Sequence, residues 1–592
     1  MIGFIGFAPI YINALLALLF VFVFPGLVVV RAFDIQNFPQ RWFVVFLGSL
    51  TANYFLVTLI AEFHLDPLLT YRAAAIALAA ALAVLVVVAM RRQAGMDVRY
   101  GRDRSIVRSS DVGWLLATLG FVAVAYLGIW KHGLPSTFGE GDVSISWNSW
   151  ALIWAKGAFP TGSYGYPQFI PAIWALPYIF TRSTAQYFAY YIFVILMIAP
   201  VLLGAMNLGR INWWLPLVAG LVLGWFILQI RDPWLRATIP AAFPDWVAAV
   251  MGLSGAVSFI VNRPRPDFDR ERICAALISL CLLAIAASIK PLYGLLAVSV
   301  LIAICVDAVR FLDRRAAVAL IAAAIGLLSA FVLMYLLNYS HLSVTVMPNY
   351  PVSGRSERLA HAAGVFNASV SLPFRIVTVA GLAMCPFLPR IRWLALPLLL
   401  GFWIWANNAG YDLRNVLGFI LISAFIPGFV AARAWLRERP VQNERQWTVP
   451  DMAATFVVVV LVVGLTLPLA KSDAGLEQRF HDDQLLGGSG YEFNRDVEKI
   501  LDRGCALFSS SSYFWTISAF DKYRQQMNFY HFNLALTDDI AQAFDKAGCV
   551  AIVYPLAQVH PSISKFIAAK ARERGLTKVI EVNGNELIAS PP

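Results

Sequence analysis

The sequence predicts an α-helical polytopic membrane protein, with about fourteen transmembrane helices and a small soluble α/β domain at the C-terminus. Three observations carry that prediction. Of the 592 residues, 59% are hydrophobic and only 14% charged, whereas ordinary soluble domains carry about 25% charged residues. Apolar runs of spanning length recur between residues 8 and 470, separated by short loops. The basic residues behind the net charge of +11 gather in those loops, which is the pattern of cytoplasmic membrane loops and a poor fit to nucleic-acid binding.

The N-terminal region, 1–112, comes first. Met1 to Asn13 has no basic n-region, and the apolar run beyond it lacks a small-x-small cleavage site. It therefore reads as the first span and not as a signal peptide. Spans are expected near 8–30, 42–62, 73–90 and 113–130. The loop from Arg91 to Asp111 carries Arg91, Arg92, Arg99, Arg102, Arg104 and Arg108, so it is assigned to the cytoplasm. Alternation then puts the N-terminus and the loop 131–184 outside.

The region 113–470 continues the pattern. Arg263, Arg265, Arg270 and Arg272 mark a second cytoplasmic loop, Arg310, Arg314 and Arg315 a third, and Arg433, Arg437 and Arg439 a fourth. Counting back from Arg272, spans at 245–262, 212–230 and 185–206 leave residues 166–180 unable to cross. That stretch is short and rich in proline and aromatic residues, and it reads as an interfacial helix against the outer membrane surface. Further spans are expected near 273–289, 292–310, 316–337, 373–388, 394–409, 415–432 and 451–470.

From Lys471 the composition changes, and 471–592 reads as a periplasmic α/β domain. Runs beginning at Cys505 and Cys549 look like buried strands, 538–547 and 562–574 have helical spacing, and 578–589 reads as a hairpin turning at Asn583-Gly584. Cys505 and Cys549 either pair in an oxidising compartment, worth roughly 4 kcal/mol by loop closure, or stay as two buried thiols on neighbouring strands. Cys274, Cys281, Cys305 and Cys385 lie in apolar runs and behave as small apolar residues. No metal-ligand spacing or CxxC motif is present.

The candidate chemistry centres on Gly139 to Trp150 in the outer loop. Asp142, flanked by glycine and followed by Trp147, Trp150 and Trp154, suits a general base that takes a proton from an acceptor hydroxyl. Tryptophans there can stack on a sugar face. Glu140 is a second carboxylate, able to share that role, orient Asp142 or help hold a divalent cation. Asp245 opens a later span and is either a second active-site carboxylate or an acid favoured by the helix dipole. Lys290, in a tight turn, either snorkels to water or holds a phosphate as a point charge. Arg414 either grips a phosphate bidentately or pairs with Asp412. The outer loop 338–372 is long enough to suggest function, but His341 and His361 read as solvent-facing or capping residues. No P-loop, dinucleotide fingerprint, HExxH or GxSxG motif occurs, so nothing supports ATP-driven transport or a nucleophile elbow.

An early outer loop with an acid, a Tyr-Pro helix and an acid at the mouth of a later span resemble the GT-C class of membrane glycosyltransferases, which includes protein O-mannosyltransferases and lipid A aminoarabinose transferases. The residues concerned are Gly141-Asp142 with Trp147-Asn148-Ser149-Trp150, Tyr166-Pro167-Gln168-Phe169-Ile170-Pro171, Pro244-Asp245, Ile289-Lys290-Pro291 and Tyr411-Asp412-Leu413-Arg414. The resemblance covers residues 113–470 as a GT-C-like catalytic core. It implies a polyprenyl-phosphate sugar donor, Asp142 as base, Lys290 and Arg414 on the donor phosphate, and an acceptor lipid, glycan or protein. It also implies a place in the bacterial inner membrane. This chain departs from the usual pattern at Gln168, where a second proline is common, and at Arg414-Asn415, where Arg-Tyr is usual. Two readings from other classes remain open: a transporter or flippase for lipid-linked glycans, and a non-catalytic assembly protein.

Overall fold

The protein is described by a computed structural model at residues 2–33, 35, 38–95, 138, 143–161, 166–182, 186–209, 226–227, 229–232, 235, 238–239, 241–263, 270–342, 354–389, 391–435, 490–509, 527–529, 535–555, 559–582 and 585–591. The expected spans at 113–130 and 451–470, and nearly all of 212–230, lie outside the described residues, as do Glu140 and Asp142.

The N-terminal run forms α1 (Ile2–Phe22) and α2 (Phe24–Ala32), interrupted just before Pro25, which removes a donor from the helix ladder. Next come α3 (Phe38–Glu62) and α4 (Pro67–Gly95). The outer-loop segment contributes the short α5 (Ser149–Ala155) and α6 (Phe169–Thr181), and α7 (Tyr187–Gly209) follows. The remaining core helices are α8 (Pro244–Asn262), α9 (Arg270–Ala287), α10 (Gly294–Phe311), α11 (Arg314–Ser340), α12 (Arg355–Ser369), α13 (Leu372–Met384), α14 (Ala395–Asn408) and α15 (Leu417–Trp435). Among the described residues, seven helices are long and apolar enough to cross a bilayer. One bent pair would make eight if it forms a single span.

Two expectations change. The spans expected near 373–388 and 394–409 are α13 and α14, of 13 and 14 residues, whose axes meet at 115°. Pro386 and Pro389 stand between them and stop either helix from continuing through the turn. The segment expected to lie on the outer membrane surface is also placed differently. As anticipated, α6 is too short to span, but every residue from Phe169 to Ile179 is buried, packed against α1, α3, α5 and α7. A helix apolar on all faces is most stable when surrounded, so α6 fills the interior.

Helix α8 is the central element, buried almost throughout and packed against α7, α9 and α15. Its two ends carry different chemistry. At the C-terminal end, Arg263 Nε and Nη2 donate to the two Asp307 carboxylate oxygens at 2.9 and 3.1 Å. Asp307 belongs to α10 near Arg310, within the basic loops assigned to the cytoplasm. Nineteen residues of helix put the other end, at Asp245, about 28 Å away.

The C-terminal segment forms α16 (Gly490–Asp502), β1 (Ala506–Ser509), β2 (Met527–Phe529), α17 (Asp538–Lys546), β3 (Val550–Pro555), α18 (Pro561–Arg574), β4 (Thr577–Val582) and β5 (Asn585–Ala589). The sheet order is β2-β1-β3-β5-β4, with β1 parallel to β2 and β3, and β5 antiparallel to β3 and β4. Strand alternation sends Leu507, Ala551, Val553 and Leu587 to one core with Val497 and Leu501, and Phe508, Ile552 and Ile588 to another with Ile540, Phe544, Ile563 and Ile567. In the parallel pair Ala506 lies opposite Val550, so the preceding residues, Cys505 and Cys549, come to a Cα–Cα distance of 4.4 Å. They form a disulfide.

Candidate active site

The site assembles where three chain turns meet at one end of α8. The first turn leads into α8 itself. Ala242 adopts a left-handed φ of 68°, a conformation costly for a residue with a Cβ, and Thr238 accepts from Trp246 Nε1 at 2.9 Å. Pro244 at the first helical position needs no hydrogen-bond acceptor, and Asp245 follows in the first turn, where a carboxylate gains from the exposed N–H groups. The second turn, Ser288–Pro291, closes α9, with Lys290 N donating to Ala286 O at 2.8 Å. In the third, between α14 and α15, Trp405 Nε1 donates to Asp412 O at 2.9 Å.

These turns bring Asp245, Lys290 and the Arg414 turn together. Lys290 Nζ lies 2.8 Å from Asp245 Oδ1 in an ion pair, with side-chain exposures of 16% and 4%. The same ammonium donates to Asn415 Oδ1 at 3.2 Å and stands 5.7 Å from the centre of the Tyr166 ring, within cation–π range. Arg414 is held by Asp412: Nε and Nη2 lie 2.6 Å from Oδ2, and the Arg414 N–H donates to Oδ1 at 2.9 Å. The guanidinium carbon is 4.4 Å from the centre of the ring of Phe243, two residues before Asp245. The Arg414–Asp412 pairing read from the sequence is therefore present, inside the same cluster as Lys290.

Tyr166 is the link to the outer-loop segment. Its ring packs 5.8 Å from those of both Trp147 and Trp150, which lie 5.4 Å from each other. Gln168, at the position where the resembling proteins commonly have proline, accepts from Trp154 Nε1 at 3.1 Å and donates to Tyr166 O at 2.7 Å. The departure from the pattern thus fixes the backbone of Tyr166. The tryptophans were expected to offer a sugar-stacking face, but Trp147 is 3% and Trp150 2% exposed. Both are spent on the aromatic core, leaving Tyr166 as the half-buried member of the trio. Just before them, Val143–Asn148 winds as a π-helix, directly after Asp142.

His341 is the C-cap of α11, as anticipated for a capping residue. It also pairs with Glu62 at 2.8 Å and stacks on Phe159, apart from the cluster. Two participants were given no role in advance: Asn415, noted only as a departure from the Arg-Tyr pattern, and Phe243, an apolar residue in an apolar stretch. Among the described residues, no three His, Cys, Asp or Glu side chains converge to hold a metal. The divalent cation considered for Glu140 concerns a residue outside the described ones.

No protein-family model matches the chain, and no curated protein sequence does. Among solved structures, the chain is similar to the apo oligosaccharyltransferase of Archaeoglobus fulgidus, at 10% identity over 76% of this chain and 70% of that one, with a TM-score of 0.40. The archaeal AglB in complex with an inhibitory peptide and a dolichol-phosphate matches at 10% identity, 76% and 69% coverage and a TM-score of 0.40. ArnT from Cupriavidus metallidurans in the apo state matches at 13% identity, over 82% of this chain and 100% of that one, with a TM-score of 0.45.

Proposed function

We propose that the protein is an integral-membrane glycosyltransferase that moves a sugar from a polyprenyl-phosphate donor to an acceptor hydroxyl at the periplasmic face of the inner membrane. The observation that carries this reading is the meeting of Lys290 and Arg414 with Asp245 and Tyr166 at one end of the apolar bundle. Two cations in one partly desolvated cluster suit a phosphate whose hydrocarbon tail stays in the bilayer. Asp142 is the proposed base. It removes the proton of the acceptor hydroxyl as that oxygen attacks the anomeric carbon. The bond from that carbon to the phosphate oxygen breaks, and polyprenyl phosphate leaves with the electron pair. Lys290 and Arg414 stabilise the negative charge that develops on the leaving oxygen. Tyr166 borders the same space and is proposed to contact the sugar or phosphate. Trp147 supports it from behind.

Transfer from radiolabelled polyprenyl-phosphate sugars to membrane acceptors tests the proposal. Asp142→Asn is expected to lower turnover by about 10²–10⁴-fold, the usual worth of a positioned base, with donor binding retained. Glu140→Gln separates a helper from the base by a smaller loss. Full transfer by Asp142→Asn would remove the base assignment. A wild-type chain that uses no such donor would favour the flippase or assembly readings.

A further inference from the structure

We propose that Asp245 is the internal counter-anion of Lys290, one that a lipid-linked phosphate must displace in order to bind. This rests on the donor-phosphate reading of the cluster and adds how that site is kept closed when empty. An ammonium group has three N–H bonds and no more. Around Lys290 Nζ stand Asp245 Oδ1 at 2.8 Å, Asn415 Oδ1 at 3.2 Å and the Tyr166 ring, its centre 5.7 Å away. A phosphate oxygen that approaches Nζ competes with these neighbours.

Charge decides which partner yields. Lys290 and Arg414 balance Asp245 and Asp412, two positive against two negative. If phosphate replaced the neutral amide of Asn415, it would sit beside the Asp245 carboxylate, and two anions would share one cation in a poorly solvated place. Replacing Asp245 exchanges anion for anion at Lys290. Asp412 is the wrong candidate, because its carboxylate also accepts from the Arg414 backbone and so holds the turn. Asp245 does not depend on Lys290 alone: it lies in the first turn of α8, where the helix N-terminus also stabilises its charge. The empty site is therefore self-neutralised, and phosphate affinity is set by competition with a carboxylate of the same chain.

The test is binding of farnesyl phosphate, a short prenyl monophosphate, to the full-length protein in detergent. Asp245→Asn removes the competing charge and is expected to tighten binding by about tenfold or more, since close charge pairs couple by upwards of 1.4 kcal/mol. Asn415→Asp adds a second anion and is expected to weaken binding by a similar factor. Lys290→Met is expected to weaken it too. Because misfolding cannot tighten binding, the opposite signs guard against a merely structural effect. Unchanged or weaker binding in a folded Asp245→Asn protein, with Lys290→Met weakened, overturns the counter-anion role. If Asp245→Asn does not fold, Asn415→Asp decides, and undiminished binding there overturns it. Unchanged binding by Lys290→Met would instead remove the donor-phosphate reading itself.

Discussion

Tyr293 is the buried side chain on which the packing around Lys290 and Asn415 converges. It follows Lys290 by three residues, and its hydroxyl accepts the Gly418 N–H at 2.9 Å, three residues beyond Asn415. That N–H belongs to the first turn of α15, where helix donors lack intrahelical partners. The ring lies between α8 and α15 against two glycines, and a methyl group at Gly252 or Gly418 would overlap it. One residue therefore ties the Lys290 turn to the Arg414 turn. Tyr293→Phe is expected to destabilise the protein by about 1–3 kcal/mol, because it orphans a buried donor. Gly418→Ala is expected to cost about 1–3 kcal/mol by overpacking. In the double variant the methyl still overlaps the ring but no longer meets the hydroxyl, so the combined loss falls short of the sum by part of the overpacking cost. Thermal unfolding in detergent measures all three, and strict additivity would show that the two residues do not share the contact. The charged members of this neighbourhood were legible from sequence because Asp245, Lys290 and Arg414 interrupt apolar runs at their ends. Asn415 stood out only as a departure from the Arg-Tyr pattern, with no role, and Phe243 not at all, since a phenylalanine among apolar residues looks like its surroundings.

Helix α8 fixes the distance between two polar clusters, and the pair at its far end can be tested separately. Arg263 is 21% and Asp307 5% exposed at their side chains, so removing one partner leaves the other charge poorly solvated. Asp307→Ala is expected to cost about 3 kcal/mol, the lower end for a broken buried pair, because Arg263 still reaches water. The double variant Arg263→Met/Asp307→Leu should recover most of that loss in the same unfolding measurement. A double variant as unstable as the single would mean that packing, and not the unpaired charge, sets the cost. At this scale the sequence was most informative where periodicity and turn chemistry agreed. The runs beginning at Cys505 and Cys549 carry β1 and β3, the helices expected over 538–547 and 562–574 are Asp538–Lys546 and Pro561–Arg574, and β4 pairs antiparallel with β5 within the stretch expected as a hairpin. It was least informative where mean hydropathy had to stand in for geometry. Burial of α6 and exposure at a lipid surface demand the same apolar composition. The 115° turn between α13 and α14 is set by Pro386 and Pro389, which a sliding average does not register.

Across the whole molecule the two polar ends of the bundle imply a direction. The Arg263–Asp307 pair lies with the basic loops, and Arg314 opens α11 from that side. The Asp245–Lys290 cluster lies about 28 Å away along α8. In the proposed topology, with the positive loops cytoplasmic, the cluster lies on the outer side, which is the premise behind the proposed lipid-linked donor. The same proposed topology places the disulfide between Cys505 and Cys549 outside, and such bonds persist in oxidising compartments. A labelling experiment tests that topology. In right-side-out membrane vesicles, a membrane-impermeant maleimide should label Glu573→Cys, whose native side chain is 63% exposed on α18, without permeabilisation. Arg314→Cys, exposed at the start of α11, should label only after the membrane is opened, and the parent chain supplies the background. Labelling of both positions from outside would mean that the chain between them crosses a different number of times than counted. The reverse pattern would turn the molecule over, placing the disulfide in a reducing compartment and the Lys290 cluster beside soluble nucleotide sugars. The argument for a polyprenyl-phosphate donor would then fail, although the geometry of the cluster would be unchanged.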